Sequence, residues 1–359
     1  MTPSPRIAMV GAGANGAGVG ANLVDAGFDV TFIDQWPANV EAMRERGIVV
    51  DMPQDSTTTP VRALHLCEVA TLREQFDIVF IVVKAYDTKW TCELIEPYLK
   101  PDGLAVGLQN GMTIDEMSQV FGPHRTLGAV IEIAAAMWEP GLVERHTPPS
   151  GTWFAIGSLD PATRGREEHV AELLRPAGTA EVVEDIRSAK WMKLVVNAAE
   201  LVTSAICNLP LLEAARLPGM DAFMRQAGKE AVRTAVAAGQ QIVPIIGLTD
   251  VDPDDPEGLV DRMLDAVYTN WSLPHTKTTV LQDWQKGRRG EADQLNGYVV
   301  DVMTALGGTA PANARTVALA RLIESGRLAA DPSNAPMLLG DADLPAAGIP
   351  VGGSGAANT

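Results

Sequence analysis

Cysteine is scarce in this chain of 359 residues. Its three cysteines, Cys67, Cys92 and Cys207, lie far apart and form no CxxC pair. An odd, scattered set excludes a disulfide framework and a cysteine-based zinc site, and it fits a reducing cytoplasm. The five histidines show no HExxH or other paired spacing, so we expect no metal centre.

Basic residues are also few, with 28 lysines and arginines against 45 acidic residues and a formal net charge of -17. This balance argues against nucleic acid or an anionic membrane as the main partner. No apolar run approaches the roughly 20 residues that span a bilayer, and the first residues lack the pattern of a secretion signal. We therefore expect a cytoplasmic protein whose anionic ligands meet a local positive site.

The hydrophobic pattern changes once along the chain. Over residues 1–186, short β-branched runs alternate with amphipathic stretches, which predicts a doubly wound, mainly parallel α/β (Rossmann) domain. The clearest strands are RIAMV, DVTFID, DIVFIVV, LAVGLQN and LGAVIEIAA. The runs GLVERH, TWFAIG and AEVVED are predicted to close this domain as a further strand group.

A period of 3.6 residues replaces the period of two in the second part, so residues 187–328 are predicted to form an all-α domain. Helices are expected over 186–206, 211–239, 257–268, 292–306 and 313–325. Residues 329–359 are rich in alanine, glycine and proline, which predicts a loosely ordered tail. Helical faces left over in this domain favour a homodimer.

A glycine-rich loop joins the first predicted strand to the first helix. The pattern GxGxxG alone is weak, but here it stands between a strand and a helix, which makes it specific for a dinucleotide site. Gly11 would form the tight turn, Gly13 would lie against the pyrophosphate, and Gly16 would let helix and strand pack closely. Ala14 and Asn15 would open the helix whose N-terminus faces the phosphates. The alternative is a glycine-rich turn without a ligand.

An acidic residue, Asp34, ends the second predicted strand 18 residues after Gly16. A carboxylate at this position accepts hydrogen bonds from the adenosine ribose, and it would repel a 2'-phosphate. We therefore expect NAD rather than NADP. The alternative is that Asp34 caps the following helix, and Arg44 or Arg46 folding back would weaken the preference for NAD.

Polar side chains follow two further strands. Lys84 follows DIVFIVV, and Asn110 follows LAVGLQ, so both could face the ligand crevice at the strand ends. Each has a simpler interpretation, as a solvated lysine and as part of a turn. Lys193 and Asn197 stand one turn apart within the apolar run KWMKLVVNAAEL. These two could serve a site, or the lysine could extend along the helix to solvent while the asparagine caps a neighbouring group.

Taken together, these segments resemble the ketopantoate reductase family, the 2-dehydropantoate 2-reductases. The resemblance rests on GAGANG at 11–16, VKAYDT at 83–88, QNG at 109–111, WMKLVVNAA at 191–199, LQD at 281–283, and GEADQLNG at 290–297 with Pro311 and Asn313. It implies a Rossmann domain joined to a helical domain, and an enzyme that moves hydride between a nicotinamide cofactor and a 2-oxo acid.

The resemblance also implies roles for individual residues. Lys193 would be the general acid that protonates the carbonyl oxygen, and Glu291 would bind substrate or hold the lysine. Asn110 and Asn197 would bind substrate, Asn110 would also lie near the cofactor with Lys84, and Thr279 would replace a substrate-binding serine. An ammonium suits this role because the reaction creates negative charge on the oxygen.

Three residues depart from the family pattern. Leu201 stands where a further asparagine is usual, and Asp34 stands where the biosynthetic reductases place a basic residue. These changes favour an NAD-linked (R)-2-hydroxyacid dehydrogenase for a bulkier or more apolar acid. A genuine 2-dehydropantoate 2-reductase, an opine-type imine-reducing dehydrogenase and a non-catalytic nucleotide-binding protein are the alternatives. The third departure, Glu132, is expected to point outwards or to pair with an arginine.

Overall fold

The computed structural model describes residues 4–345 of the chain. The chain divides into two compact units. The first comprises Met1–Leu194 and Gly239–Leu259, and the second comprises Val195–Ala238 and Val260–Thr359. The boundaries between the units fall after Leu194, which lies inside a helix, after Ala238 and after Leu259. The domain bounds 1–186 and 187–328 stay a prediction.

The strands of the described residues all belong to the first unit. They are β1 (Arg6–Val10), β2 (Asp29–Asp34), β3 (Ile48–Met52), β4 (Asp55–Thr59), β5 (Arg62–His65), β6 (Phe76–Ile81), β7 (Leu99–Gly107), β8 (Thr126–Glu132), β9 (Ala135–Ala136), β10 (Leu142–Arg145), β11 (Trp153–Ser158) and β12 (Thr179–Val182).

Helices occur in both units. They are α1 (Ala14–Asp25), α2 (Pro37–Arg46), α3 (Thr88–Ile95), α4 (Ile114–Phe121), α5 (Glu167–Leu174), α6 (Ile186–Ile206), α7 (Leu211–Ala215), α8 (Met220–Ala237), α9 (Pro256–Ala266), α10 (Thr279–Gln285), α11 (Tyr298–Ala305), α12 (Pro311–Glu324) and α13 (Ala335–Leu339). Two π-helical turns, Val267–Trp271 and Asp293–Gly297, adjoin α9 and α11.

The main sheet has eight strands in the order β12-β11-β8-β7-β6-β1-β2-β5. The six strands from β8 to β5 run parallel, whereas β11 is antiparallel to β8. Successive residues of β1 enter two different hydrophobic clusters, Ile7 and Met9 on one face and Ala8 and Val10 on the other. Burial on both faces explains the unbroken apolar runs of these strands. The predicted mainly parallel α/β fold is confirmed.

Strand order reverses at the centre of this sheet. β1 lies between β2, the next strand in the chain, and β6. In open α/β sheets, ligands bind at the carboxyl ends of the strands where the order reverses. The glycine loop after β1 and Lys84 after β6 both lie at this edge of the sheet.

A second sheet has four strands in the order β4-β3-β10-β9. The prediction that GLVERH, TWFAIG and AEVVED form one strand group is therefore wrong in part. β11 and β12 extend the main sheet as part of that group, but β10, from GLVERH, pairs with β3 instead. The hairpin of β3 and β4 and the short strand β5 were not predicted. β4 is rich in threonine and mostly exposed, and neither β4 nor β5 shows the alternation of apolar and polar residues that marks a half-buried strand.

The second unit is helical, as predicted, with two differences. The helix expected over 211–239 is broken, because Gly219 adopts a left-handed backbone with φ of 80° between α7 and α8. α10 was not predicted. Among the described residues, no helix is both long and apolar enough to cross a membrane.

The prediction of a loosely ordered tail is wrong over residues 329–345. Leu338 of α13 is buried, and the side-chain amide of Asn334 donates to the carbonyls of Ile206 and Ala329. Nearby, Arg315 donates to the carbonyl of Met337. The remaining tail, 346–359, lies outside the described residues.

Candidate active site

Two glycines of the loop are required by the fold itself. Gly11 has φ of +96°, and a Cβ there would lie 2.7 Å from the carbonyl carbon of Val82. A Cβ on Gly16 would lie 1.9 Å from the carbonyl oxygen of Gly11. Both contacts are too close for any side chain, so these glycines permit the turn and the packing of α1 onto the sheet.

Gly13 differs from its neighbours because a Cβ there would meet nothing within 4 Å. Its backbone is extended, with φ of -68°, and it is the N-cap of α1. Ala14 and Asn15 follow as the first two residues of that helix, whose N-terminus carries partial positive charge. The open space at Gly13 and the helix N-terminus fit an approaching phosphate group.

Asp34 is 7% exposed and lies against the glycine loop. Its carboxylate accepts hydrogen bonds from the backbone N–H of Ala12 at 2.6 Å and of Trp36 at 2.7 Å. The N-cap of α2 is Trp36, with no side-chain cap, so Asp34 is not the N-cap of that helix. The carboxylate therefore helps to hold the loop and lies at the end of β2, where a ribose acceptor is expected.

The two arginines that could neutralise Asp34 have other partners. Arg44 donates to the carbonyl of Ala63 and pairs with Glu68, and Arg46 contacts the carbonyl of Pro140. Both arginines lie in the last turn of α2.

A buried glutamine joins the ends of β6 and β7. The side-chain amide of Gln109 donates to the carbonyl of Val83 and to the hydroxyl of Thr88, each at 2.8 Å. The Thr88 hydroxyl in turn donates to the carbonyl of Ala85. The glutamine of QNG and the threonine of VKAYDT are thus structural, and they fix the segments that carry Lys84 and Asn110.

Lys190 is a site residue that the sequence reasoning missed. Its ammonium is buried and donates to the carbonyls of Gln109 at 3.0 Å and Ala129 at 3.1 Å. Burial lowers the pKa of Lys190 to about 8. Its position in the sequence could have identified it, because Lys190, Lys193 and Asn197 are spaced by three and four residues and therefore lie along one face of α6.

A small pocket lies at the carboxyl ends of β7 and β8. Its lining residues are Gln109, Asn110, Gly111, Val130, Ile131, Lys190 and Lys193. Two of the predicted site residues, Asn110 and Lys193, are therefore brought together in the first unit. The lining combines two lysines and two residues with side-chain amides with two apolar residues, a composition that suits a small organic anion.

Glu132 is the partner of Lys193, which corrects the expectation that it points outwards or pairs with an arginine. The Lys193 ammonium contacts the Glu132 carboxylate in a salt bridge. The two side chains are only 12% and 18% exposed. Glu132 is the last residue of β8. Because ligands bind at the carboxyl ends of parallel strands, a carboxylate at this position could have been identified from the sequence as a site residue.

Three predicted site residues belong to the second unit. Asn197 is buried on α6 and Glu291 is 3% exposed, just before the π-helical turn Asp293–Gly297. Thr279 begins α10, and its hydroxyl is buried without a hydrogen-bond partner among the described residues. A buried hydroxyl of this kind is available to a ligand.

Two motif asparagines of the second unit are structural. The side-chain amide of Asn296 donates to the carbonyl of Ala198 at 2.8 Å and to the side-chain oxygen of Asn313 at 2.9 Å. Asn313 donates through its own amide to the carboxylate of Glu230 at 2.9 Å. That carboxylate also accepts the backbone N–H of Ala312 and of Asn313, the second and third residues of α12. Glu230 therefore takes the place of an N-cap side chain.

Comparisons with known proteins cover most of the chain. Residues 7–159 match the family model described as ketopantoate reductase PanE/ApbA, and residues 185–324 match the C-terminal model of the same family. A 2-dehydropantoate 2-reductase of Archaeoglobus fulgidus is 29% identical over 327 residues, 89% of this chain and 98% of the relative.

Solved structures agree with this match. A PanE/ApbA family ketopantoate reductase from Ralstonia eutropha JMP134 has a TM-score of 0.75 at 28% identity, covering 90% of this chain and 99% of its own. A ternary structure of D-mandelate dehydrogenase with NADH and anilino(oxo)acetate has a TM-score of 0.78 at 18% identity, covering 89% and 99%. At this identity, the second likeness concerns the fold alone.

Proposed function

Since the chain belongs to the ketopantoate reductase PanE/ApbA family, we propose that it interconverts a 2-oxo acid and an (R)-2-hydroxy acid. Relatives from Archaeoglobus fulgidus and Pyrococcus horikoshii are 2-dehydropantoate 2-reductases, and the chain is an oxidoreductase of C=O and CH-OH groups. A nicotinamide cofactor supplies or accepts the hydride. The observation that supports the proposal best is that Lys193 lines a pocket together with Asn110.

Lys193 acts as the general acid and base. Reduction places negative charge on the carbonyl oxygen, and an ammonium at hydrogen-bond distance stabilises that charge and provides a proton. In the oxidative direction, the neutral amine accepts the hydroxyl proton. Asn110 and Asn197 bind the substrate, Thr279 offers its hydroxyl, and Glu291 binds the substrate or helps to hold the lysine.

The cofactor is held by Gly11, Gly13, Ala14, Asn15, Gly16, Asp34, Lys84 and Asn110. Asp34 makes NAD the preferred form, because a carboxylate repels the 2'-phosphate of NADP. The positions of Arg44 and Arg46 support this preference, since both are engaged with other residues.

Asp34→Arg is expected to shift the ratio of kcat/KM for NADH and NADPH towards NADPH by at least about tenfold, or 1.4 kcal/mol. The change removes the repulsion and supplies a cation for the 2'-phosphate. Steady-state kinetics with both cofactors measure the ratio. Asp51→Arg, the same charge change at an exposed residue of β3, is the matched control and should leave the ratio unchanged. An unchanged ratio in the Asp34 variant would mean that this carboxylate only holds the loop.

Gly13→Ala is expected to raise the Kd for NADH by about tenfold while leaving the thermal midpoint nearly unchanged. The protein leaves room for the methyl group, so a bound phosphate is what it would meet. Fluorescence titration of the nucleotide gives the Kd. Gly16→Ala, by contrast, should lower the thermal midpoint because its Cβ meets the backbone of Gly11. Wild-type affinity in the Gly13 variant would contradict a phosphate at this position.

The substrate is proposed to be more apolar or bulkier than ketopantoate. Val130 and Ile131 line the pocket, and Leu201 stands in place of a polar amide on α6. D-mandelate dehydrogenase, whose fold is similar, was solved with NADH and anilino(oxo)acetate. NADH and oxo acids with an aromatic group are therefore the first compounds to assay.

A panel of 2-oxo acids, assayed with NADH and NADPH through nicotinamide absorbance, tests the function. Aromatic and branched oxo acids with NADH should give the highest kcat/KM. Preference for ketopantoate would instead identify a genuine 2-dehydropantoate 2-reductase. Turnover only with added ammonia or amino acids would indicate an opine-type dehydrogenase, and nucleotide binding without turnover would contradict an enzyme of this kind. The homodimer, also a proposal, is checked by light scattering.

A further inference from the structure

We propose that Glu132 is a positioning residue for Lys193 and that it holds the lysine ammonium beside the pocket. This inference rests on the proposed catalytic role of Lys193. Glu132 occupies the last position of β8, where it pairs with Trp153 of the antiparallel strand β11. Its backbone is therefore fixed by the sheet, and its carboxylate offers the ammonium one defined place.

The helix that carries Lys193 is attached to the same strand at a second point. Lys190 donates to the carbonyl of Ala129, and Lys193 pairs with Glu132 three residues further along both segments. The two contacts align α6 with the end of β8. A side chain held in this way loses little conformational freedom when a substrate arrives, which is the basis of preorganised catalysis.

The negative charge of Glu132 also compensates for positive charges on α6. Arg187, Lys190 and Lys193 all project cations from the first turns of α6. Arg187 is neutralised by two hydrogen bonds to Asp115 of α4, at 2.7 and 2.8 Å. Lys190 and Lys193 are three residues apart, a spacing at which like charges repel. Lys190 donates only to neutral carbonyls in the contacts described above, which do not cancel its charge. The carboxylate of Glu132, paired with Lys193, offsets the repulsion between the two lysines.

The same carboxylate acts against the binding of an anionic substrate. A 2-oxo acid carries a carboxylate of its own, which Glu132 repels at short range. Glu132 therefore improves the placement of the proton donor at some cost in affinity. Removal of the Glu132 carboxylate should therefore lower kcat while leaving KM unchanged or lower. Damage to the fold would not produce this combination.

Glu132→Gln tests the inference. Its kcat should fall by up to about 100-fold, the cost of a misplaced catalytic group. The KM for the oxo acid should stay level or fall, and the Kd for NADH should not change. Glu132→Asp, which keeps the charge on a shorter side chain, should recover part of kcat. Asp115→Asn is the matched control, because it removes a carboxylate from the neighbouring ion pair of α6 and should leave kcat unchanged.

Two results would overturn the inference. One is a wild-type kcat in Glu132→Gln, and the other is a parallel rise of KM and of the Kd for NADH together with a lower thermal midpoint. Lys193→Met, assayed alongside, separates this inference from the proposed function. If Lys193→Met is inactive and Glu132→Gln is not impaired, only the role of Glu132 fails. If Lys193→Met turns over normally, the proposed function itself fails.

Discussion

Lys193→Met is expected to lower kcat by about 10²- to 10⁴-fold, the range that a general acid contributes. Methionine keeps the length and apolar stem of the side chain but has no proton to give. Because the glycine loop and Asp34 are untouched, the Kd for NADH should not change. Steady-state assays with the best oxo acid, together with nucleotide titration, measure both quantities.

Two further variants refine this expectation. Lys193→Arg retains a cation, but a guanidinium stays protonated at neutral pH and cannot serve as the base. Its activity in the oxidative direction should therefore be as low as that of the methionine variant. Lys89→Met, on the exposed face of α3, is the matched control and should behave as wild type. A Lys193 variant with normal turnover in both directions would refute the mechanism.

Glu230→Gln is expected to lower the free energy of unfolding by about 3 kcal/mol, because a buried charge-assisted hydrogen-bond network loses its negative charge and one of its two acceptor oxygens. The carboxylate accepts from the backbone of Ala312 and Asn313 and from the Asn313 amide. A glutamine amide would turn a donor towards one of these donors. Calorimetry is the appropriate measurement, since a chain with two units need not unfold in one step.

Glu213→Gln is the control for this stability effect, because Glu213 lies exposed on α7 of the same unit. It should leave the unfolding transition unchanged. If Glu230→Gln unfolds at the wild-type midpoint, the carboxylate is not the cap of α12 that its contacts indicate. A loss of stability without loss of kcat at low temperature would agree with a purely structural role.

Local patterns predicted much of this molecule correctly. The period of two followed by the period of 3.6 predicted an α/β unit and a helical unit, because periodicity records which faces of each element are buried. β10 was misassigned and β5 was missed because strand pairing is a long-range property. The tail was misjudged because burial of Leu338 and the contact of Asn334 depend on a surface formed far away in the sequence.

The candidate site also has features that could be predicted from local sequence and others that depend on tertiary contacts. The glycine loop and the acid after it follow from short-range geometry, and the helix with Lys193 and Asn197 follows from spacing along one segment. Motif residues nonetheless differ in role, since Gln109, Asn296 and Asn313 proved to hold the backbone. A sequence motif identifies residues that belong to one site, but it does not separate those that contact a ligand from those that hold the backbone. Their hydrogen-bond partners in the structure make that distinction.

Composition, periodicity and spacing by themselves predicted the two-part architecture and the dinucleotide loop, and they singled out Lys193 on its helix, whereas the catalytic role proposed for that lysine came from the resemblance to a family. Folding in three dimensions assigned the partners of the charged groups. Lys193 and Glu132 are 61 residues apart, and they meet because β8 takes its place beside β7 while α6 is held against the strand ends. The energy of a buried charge depends on its nearest neighbours, and those neighbours are set by strand order and helix packing rather than by position in the chain.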